Sequence, residues 1–355
     1  MKTGSADLPL HGGSAPKWLF ERMKRLAREI SIAIIISFGK DEFFKRLSDP
    51  LWFQSFGCIL GFDWHSSGLT TTTTAALKEG MAEETKNLGV FFAGGKGSRG
   101  IHTPDDIESV LEKGYLSYDK AKTLINSSRL VAKVDADAVQ DGYKIYHHFM
   151  VFDRSGNWVV VQQGMNSQKK YARRYHWASY EMESFVKDPH KGVISDQIGK
   201  PLNLVDREVE ETQSHMVELS RENPRLVIKE IRNIKLPEHH PLYPGDFNIS
   251  YLEKVLKKTQ EFSPVDFENL LLVKGVGEKT LRALALLSNL IYGSPLSFKD
   301  PALFSFAHGG KDGYPFPVDR KTYDQSIEIL KEAIRGARIG ELEKFNLIKK
   351  LSTIS

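Results

Sequence analysis

The sequence predicts an α+β protein, an N-terminal mixed α/β domain with a small sheet followed by an all-helical C-terminal domain. Three observations predict it. Short β-branched and aromatic runs such as Trp158-Val159-Val160-Val161 fall within the first half of the chain. Apolar residues at helical spacing fill the first sixty positions and most of the last hundred. Residues 233–247, rich in Pro and Gly around His239-His240, interrupt the pattern as a linker does. The expected divisions are 1–200 for the α/β domain, 201–262 for a helical or irregular linker, and 263–355 for the helical domain.

In chain order, Leu8 to Gly13 reads as an extended piece ending in a Gly-Gly turn. A helix follows to about Ile30, with Pro16 in its first turn, where a missing N–H costs nothing. Residues 41–60 read as helix interrupted at Asp49-Pro50, and Thr70 to Thr74 as a helix entered from the loop Asp63-Trp64-His65-Ser66-Ser67-Gly68. Leu88 to Ala93 is a buried strand delivering the chain to the glycine-rich loop Gly94 to Gly100. Thr103-Pro104-Asp105-Asp106 starts a helix with Thr103 as cap. Alternation then predicts strands over 130–138 and 144–151, the second pairing with 158–161 across the turn 153–157, and a sheet that ends near Gly164. Residues 168–177 interleave cations with aromatics and read as a solvated amphipathic helix or a base-stacking surface; 206–222 read as another amphipathic helix.

The net charge of +4 is compatible with an anionic partner without demanding one. Cys58, the single cysteine, excludes an intramolecular disulfide and a cysteine-based zinc site, and its apolar surroundings predict an inert thiol. The apolar stretch Ile32 to Ile36 is far short of the roughly 20 residues a membrane helix needs, and no signal-peptide core opens the chain. A cytoplasmic protein is expected.

Phe267 to Leu272 is apolar at helical spacing, Lys274-Gly275-Val276-Gly277 breaks it, and Glu278 to Leu290 resumes a strong helix. The stretch Leu272-x-Lys274-Gly-Val-Gly-Glu-Lys-Thr-Leu-x-Ala resembles the helix-hairpin-helix DNA-binding proteins. In such a turn, glycines expose N–H groups at the second helix's N-terminus, where the dipole favours a phosphate whatever the base. Lys274, Gly275, Val276, Gly277, Lys279 and Thr280 are the expected phosphate contacts, with a monovalent cation at the hairpin. Downstream, Pro317-Val318-Asp319 resembles the catalytic segment of the endonuclease III-like glycosylases, in which Lys279 would match the lyase nucleophile and Asp319 the acid. Arg320-Lys321 departs from that family's Thr-His.

In the N-terminal half, Asp135 and Asp137 share one face of the expected strand, where paired carboxylates hold Mg²⁺ or Mn²⁺. Asp63, His65, His147 and Gln163 are candidates to join them, and His147 and His148 must face opposite ways. Lys96 in the glycine-rich loop would stabilise a transferring phosphate. Arg99, Lys170, Arg173 and Arg174 are the expected further contacts to DNA.

Over nearly its whole length the chain resembles a domain-of-unknown-function family of prokaryotic, largely archaeal, proteins. The matching stretches are Thr3-Gly4 through His11, Gly61 through Gly68, Gln162-Gln163-Gly164-Met165 and Phe306 through Gly313. The resemblance implies a standing two-domain unit and carries no activity. The expected function is a DNA-processing enzyme, a metal-dependent nuclease used in repair. The alternatives are a glycosylase or lyase on Lys279 and Asp319, and a non-catalytic DNA-binding adaptor.

Overall fold

The computed structural model describes residues 8, 10, 15–62, 66–195, 198–233 and 248–302, with isolated positions between 328 and 348. Helix α1 (Lys17–Phe38) runs well past Ile30, because Ile30, Ile34 and Ile35 continue its buried stripe, and Pro16 stands just before it. Helices α2 (Lys40–Ser48) and α3 (Pro50–Leu60) break at the expected place. The Asp49 carboxylate accepts from the amides of Leu51 and Trp52, both at 2.8 Å, and Pro50 opens the new helix. The threonine run lies on α4 (Gly68–Gly80), followed by the short α5 (Thr85–Leu88).

Strand β1 (Val90–Lys96) leads through short α6 (Ser98–Ile101) to α7 (Thr103–Glu112) and α8 (Tyr118–Lys133). His102, not Thr103, precedes the first turn of α7; the Thr103 hydroxyl donates to the Gly100 carbonyl instead. A π-helical turn, Val134–Ala138, continues α8. Then come β2 (Val139–Gln140), β3 (Lys144–Asp153), β4 (Trp158–Asn166), β5 (Tyr171–Ala178), β6 (Gly192–Ile194) and β7 (Leu202–Asn203). The last described elements are α9 (Glu210–Arg221), α10 (Pro224–Asn233), α11 (Ile249–Phe262), α12 (Phe267–Leu272) and α13 (Glu278–Tyr292).

The main sheet has the order β1-β3-β4-β5-β6 with every neighbour antiparallel; β2 and β7 pair separately. Strand alternation splits its side chains between two cores. Phe149, Val151, Val159 and Val161 join Met23, Ile30, Phe53 and Leu77 under α1–α4. Met150, Phe152, Trp158 and Val160 join residues of α7 and α8, and this core continues without a break through α9, α11, α12 and α13. Burying each of the larger apolar side chains is worth about 1.5–3 kcal/mol.

Three expected elements are replaced. The strand over 130–138 is the end of α8 plus the π-helical turn, so Asp135 and Asp137 do not share a strand face. The glycine-rich loop is instead the end of a strand and the start of a helix: Gly94, Gly95 and Lys96 pair with Phe149, His148 and His147, and Ser98 to Gly100 belong to α6. The basic-aromatic segment is β5, inside the sheet, where the alternation Arg173-Arg174-Tyr175-His176-Trp177 feeds both faces. The sheet accordingly continues past Gly164 into Asn166 and β5. Among the described residues no helix is long and apolar enough to cross a membrane.

Candidate functional site

One row of polar residues crosses the sheet on the α3–α4 side. The register sets Lys96 of β1 opposite His147 of β3, His147 opposite Gln163 of β4, and Gln163 opposite Arg174 of β5. Directly opposed residues share a face and stand about 5 Å apart, so the four side chains form a continuous line. A bulge at Tyr146, next to His147 on β3, adjusts the register there, and the Tyr146 hydroxyl meets the Gln163 amide. Lys96 is exposed at the end of the row, whereas His147, Gln163 and Arg174 are fully buried.

Helix α4 lies over this row and gives it hydroxyls. Thr74 Oγ1 is 3.0 Å from His147 Nε2, and Arg174 donates to Thr70 Oγ1 at 3.3 Å. Arg174 also donates to His176 Nε2 at 2.9 Å and to the Pro50 carbonyl, and stacks on Phe53 at 4.9 Å. Gln163 Nε2 donates to the Ser67 carbonyl at 2.9 Å. Among the described residues no carboxylate pairs with Arg174, and His147 Nδ1 and Gln163 Oε1 have no hydrogen-bond partner.

The electrostatics follow from burial. Desolvation, reinforced by His148 and Lys96, pushes the His147 imidazole down to about 3, so it is neutral. His176 is held well below its ordinary range by desolvation and by Arg174. Desolvation pulls the Arg174 guanidinium down to about 9, which still leaves it charged at neutral pH. A buried cation among neutral partners, with no carboxylate beside it among the described residues, is costly for folding alone, and its net charge is what an anion would complement.

The carboxylates expected to hold a metal separate. Asp135 is buried on the opposite face of the sheet, where it accepts from Gln162 Nε2 at 2.5 Å and Trp177 Nε1 at 2.9 Å, and lies 2.6 Å from His190 Nε2. Asp137 turns outward to Lys133 and to the Glu278 amide. Among the described residues no group of three His, Cys, Asp or Glu side chains is placed to hold a metal ion. His147 and His148 do face opposite ways; His148 joins Ser128 and Gln162 on the Asp135 side.

The remaining expectations divide as follows. Asp63 and His65, immediately before Ser66-Ser67, and Asp319 lie outside the described residues. Arg99, Lys170, Lys274 and Lys279 are exposed. Arg173 is not a surface contact: it is buried against Asp141 and Asp300, tying β5 to the segment after α13. At the hairpin Val276 is the buried plug and Thr280 is buried too. Gly275, at φ 104°, needs to be glycine, whereas Gly277 at φ −147° does not.

Sequence reasoning missed Thr70, Thr74, His176 and His190. Their partners are supplied by distant elements, and only the docking of α4 and of the segment after β5 on the sheet gathers them. Stretches that carry the family resemblance meet here: Gln162 through Met165 on β4, Ser66 through Gly68 at Gln163, and Leu8 and Leu10 paired with Ala172 and Lys170 beside Arg173-Arg174. A family model described as Protein of unknown function (DUF763) matches residues 4–318. No curated protein and no solved structure matches the chain.

Proposed function

The chain belongs to the DUF763 family, and for this member we propose a nucleic-acid-binding enzyme that hydrolyses phosphodiester bonds at the Lys96–His147–Gln163–Arg174 row. The observation that carries this reading is Arg174, a buried guanidinium with no carboxylate partner among the described residues, in line with His147 and Gln163, each of which leaves one polar atom unmet. Arg174 would take a non-bridging phosphate oxygen, and Lys96 would draw the backbone to the exposed end of the row. Neutral His147 would accept the proton of the attacking water, held by the Gln163 carbonyl oxygen. The water oxygen bonds to phosphorus, the ester P–O bond breaks, and the proton returns to the leaving oxygen. A bound phosphate supplies the negative charge that lifts the imidazole toward a useful basicity.

Nucleic acid is favoured over a small phosphoester by the C-terminal turn. It resembles the helix-hairpin-helix proteins and presents Lys274 to solvent. The test incubates the purified protein with end-labelled single-stranded, duplex and branched DNA, in Mg²⁺, in Mn²⁺ and in EDTA. Cleavage that disappears in His147→Gln is expected; if no substrate is cut in any condition, the reading is wrong.

A further inference from the structure

The end of α13 that a helix-hairpin-helix turn would offer to phosphate is already occupied. Asp137 Oδ1 accepts from the Glu278 amide at 3.2 Å, and Lys133 bridges Asp137 Oδ2 to the Val276 carbonyl. Gln140 donates to the Glu278 carbonyl at 2.9 Å and accepts from Arg282 at 2.8 Å. The Val276 amide is spent on the Val273 carbonyl at 3.0 Å. The chain's own carboxylate thus stands at the helix's positive pole, and this side of the hairpin docks against the π-helical turn and β2.

The other side of the hairpin is open and basic. Tyr251 of α11 places its hydroxyl on the Gly275 carbonyl at 3.2 Å, while 54% of the residue stays exposed. Lys254 and Lys258 follow Tyr251 at i+3 and i+7, which sets all three on one stripe of α11. Lys274 adjoins Gly275. Lys254, Lys258 and Lys274 are exposed and enter no ion pair among the described residues; the acids Glu253 and Glu278 are matched to Lys257 and Arg282, and Glu261, one turn beyond Lys258, ends the basic stripe.

We propose that a nucleic-acid strand runs along Tyr251, Lys254, Lys258 and Lys274, on the outer face of α11 and the hairpin, and not onto the N-terminal amides of α13. The three ammonium groups contact successive phosphates, and the exposed Tyr251 ring stacks on an unpaired base. This rests on the nucleic-acid reading above. It makes α11, a helix with no part in the hairpin signature, the main electrostatic contact.

Fluorescence anisotropy of the full chain with a labelled single-stranded oligonucleotide, read across a salt series, tests it. Lys254→Gln with Lys258→Gln should weaken binding on the order of tenfold and flatten the log–log salt slope by about 1.4. Both side chains are exposed, so folding is unaffected. Lys279→Gln, beside the occupied helix end, should change affinity by less than twofold. The proposal is overturned if the α11 pair binds like wild type, or if Lys279→Gln costs more than the pair does. Wild-type protein that binds no oligonucleotide at low salt overturns the nucleic-acid reading itself, which is a different result.

Discussion

Arg174 carries a charge that the fold does not need. Its neighbours are a hydroxyl, a carbonyl, an imidazole and the Phe53 ring, and none offsets the desolvation of a guanidinium. Arg174→Met should therefore keep the thermal midpoint or raise it while abolishing cleavage; a clear drop in midpoint would mean that the arginine is structural. Asp135 is the opposite case. In Asp135→Ala the buried Trp177 Nε1 and the His190 Nε2 lose their partner and Gln162 Nε2 keeps only the Val131 carbonyl, which should cost about 3–5 kcal/mol by denaturant unfolding. The buried histidines set a pH window. Burial holds His147, His148 and His176 below their ordinary range, so the unfolded chain binds protons near pH 6.5 that the folded chain refuses. Their contribution is fully present above about pH 6.5 and declines as the pH falls, by up to about 1.4 kcal/mol per unit for each group. Denaturant midpoints at pH 7.5 and 5.5 should differ accordingly, and a flat profile would contradict neutral burial. Lys96, His147 and Gln163 could be nominated from residue type alone, but Arg174 was legible only as a cation, since nothing local says that it is buried.

At the scale of elements, the apolar periods were readable and the polar ones misled. The break at Asp49-Pro50, the hairpin of β3 and β4, and the helices flanking Lys274–Gly277 follow from local chemistry that tertiary contacts do not override. Strand β5 was hidden because burying Arg173 and Arg174 needs partners from α4, the turn after β2 and the segment after α13, so a buried strand looked like a solvated helix. The π-helical turn inserts an extra residue that no hydrophobic period reveals, and it sends Asp135 inward and Asp137 outward. Backbone amides of the glycine-rich segment and of the hairpin are held by the protein's own carboxylates. Asp106 accepts from the Gly94 amide at 2.8 Å, and Asp137 accepts from that of Glu278. The hairpin's glycines are unequal for the same geometric reason. Gly275→Ala should cost about 1–2 kcal/mol through its positive φ. Gly277→Ala should be nearly neutral, because its added methyl stands 3.7 Å from Asp137 Oδ1. Equal losses in denaturant unfolding would contradict this backbone.

For the molecule as a whole, the sheet is a wall between two helical layers, and the polar row is set into one of its faces. The α+β class was visible in the sequence; the continuity of the second core from the sheet into α13 was not, because it depends on how distant helices dock. That continuity makes hairpin and sheet unfold together, so a single denaturant transition should be seen by Trp fluorescence and by circular dichroism. It also fixes the hairpin relative to the sheet through Asp137, Gln140 and Lys133. The claim on which the functional account turns is that the buried row performs chemistry on a phosphodiester. Single-turnover cleavage of labelled DNA, comparing wild type with the folded Arg174→Met and His147→Gln variants, measures it most directly. The account predicts products from wild type and at least a hundredfold slower cleavage from either variant, on the order expected for removing a general base in His147→Gln and a charge-stabilising donor in Arg174→Met. Equal rates in all three proteins would contradict it.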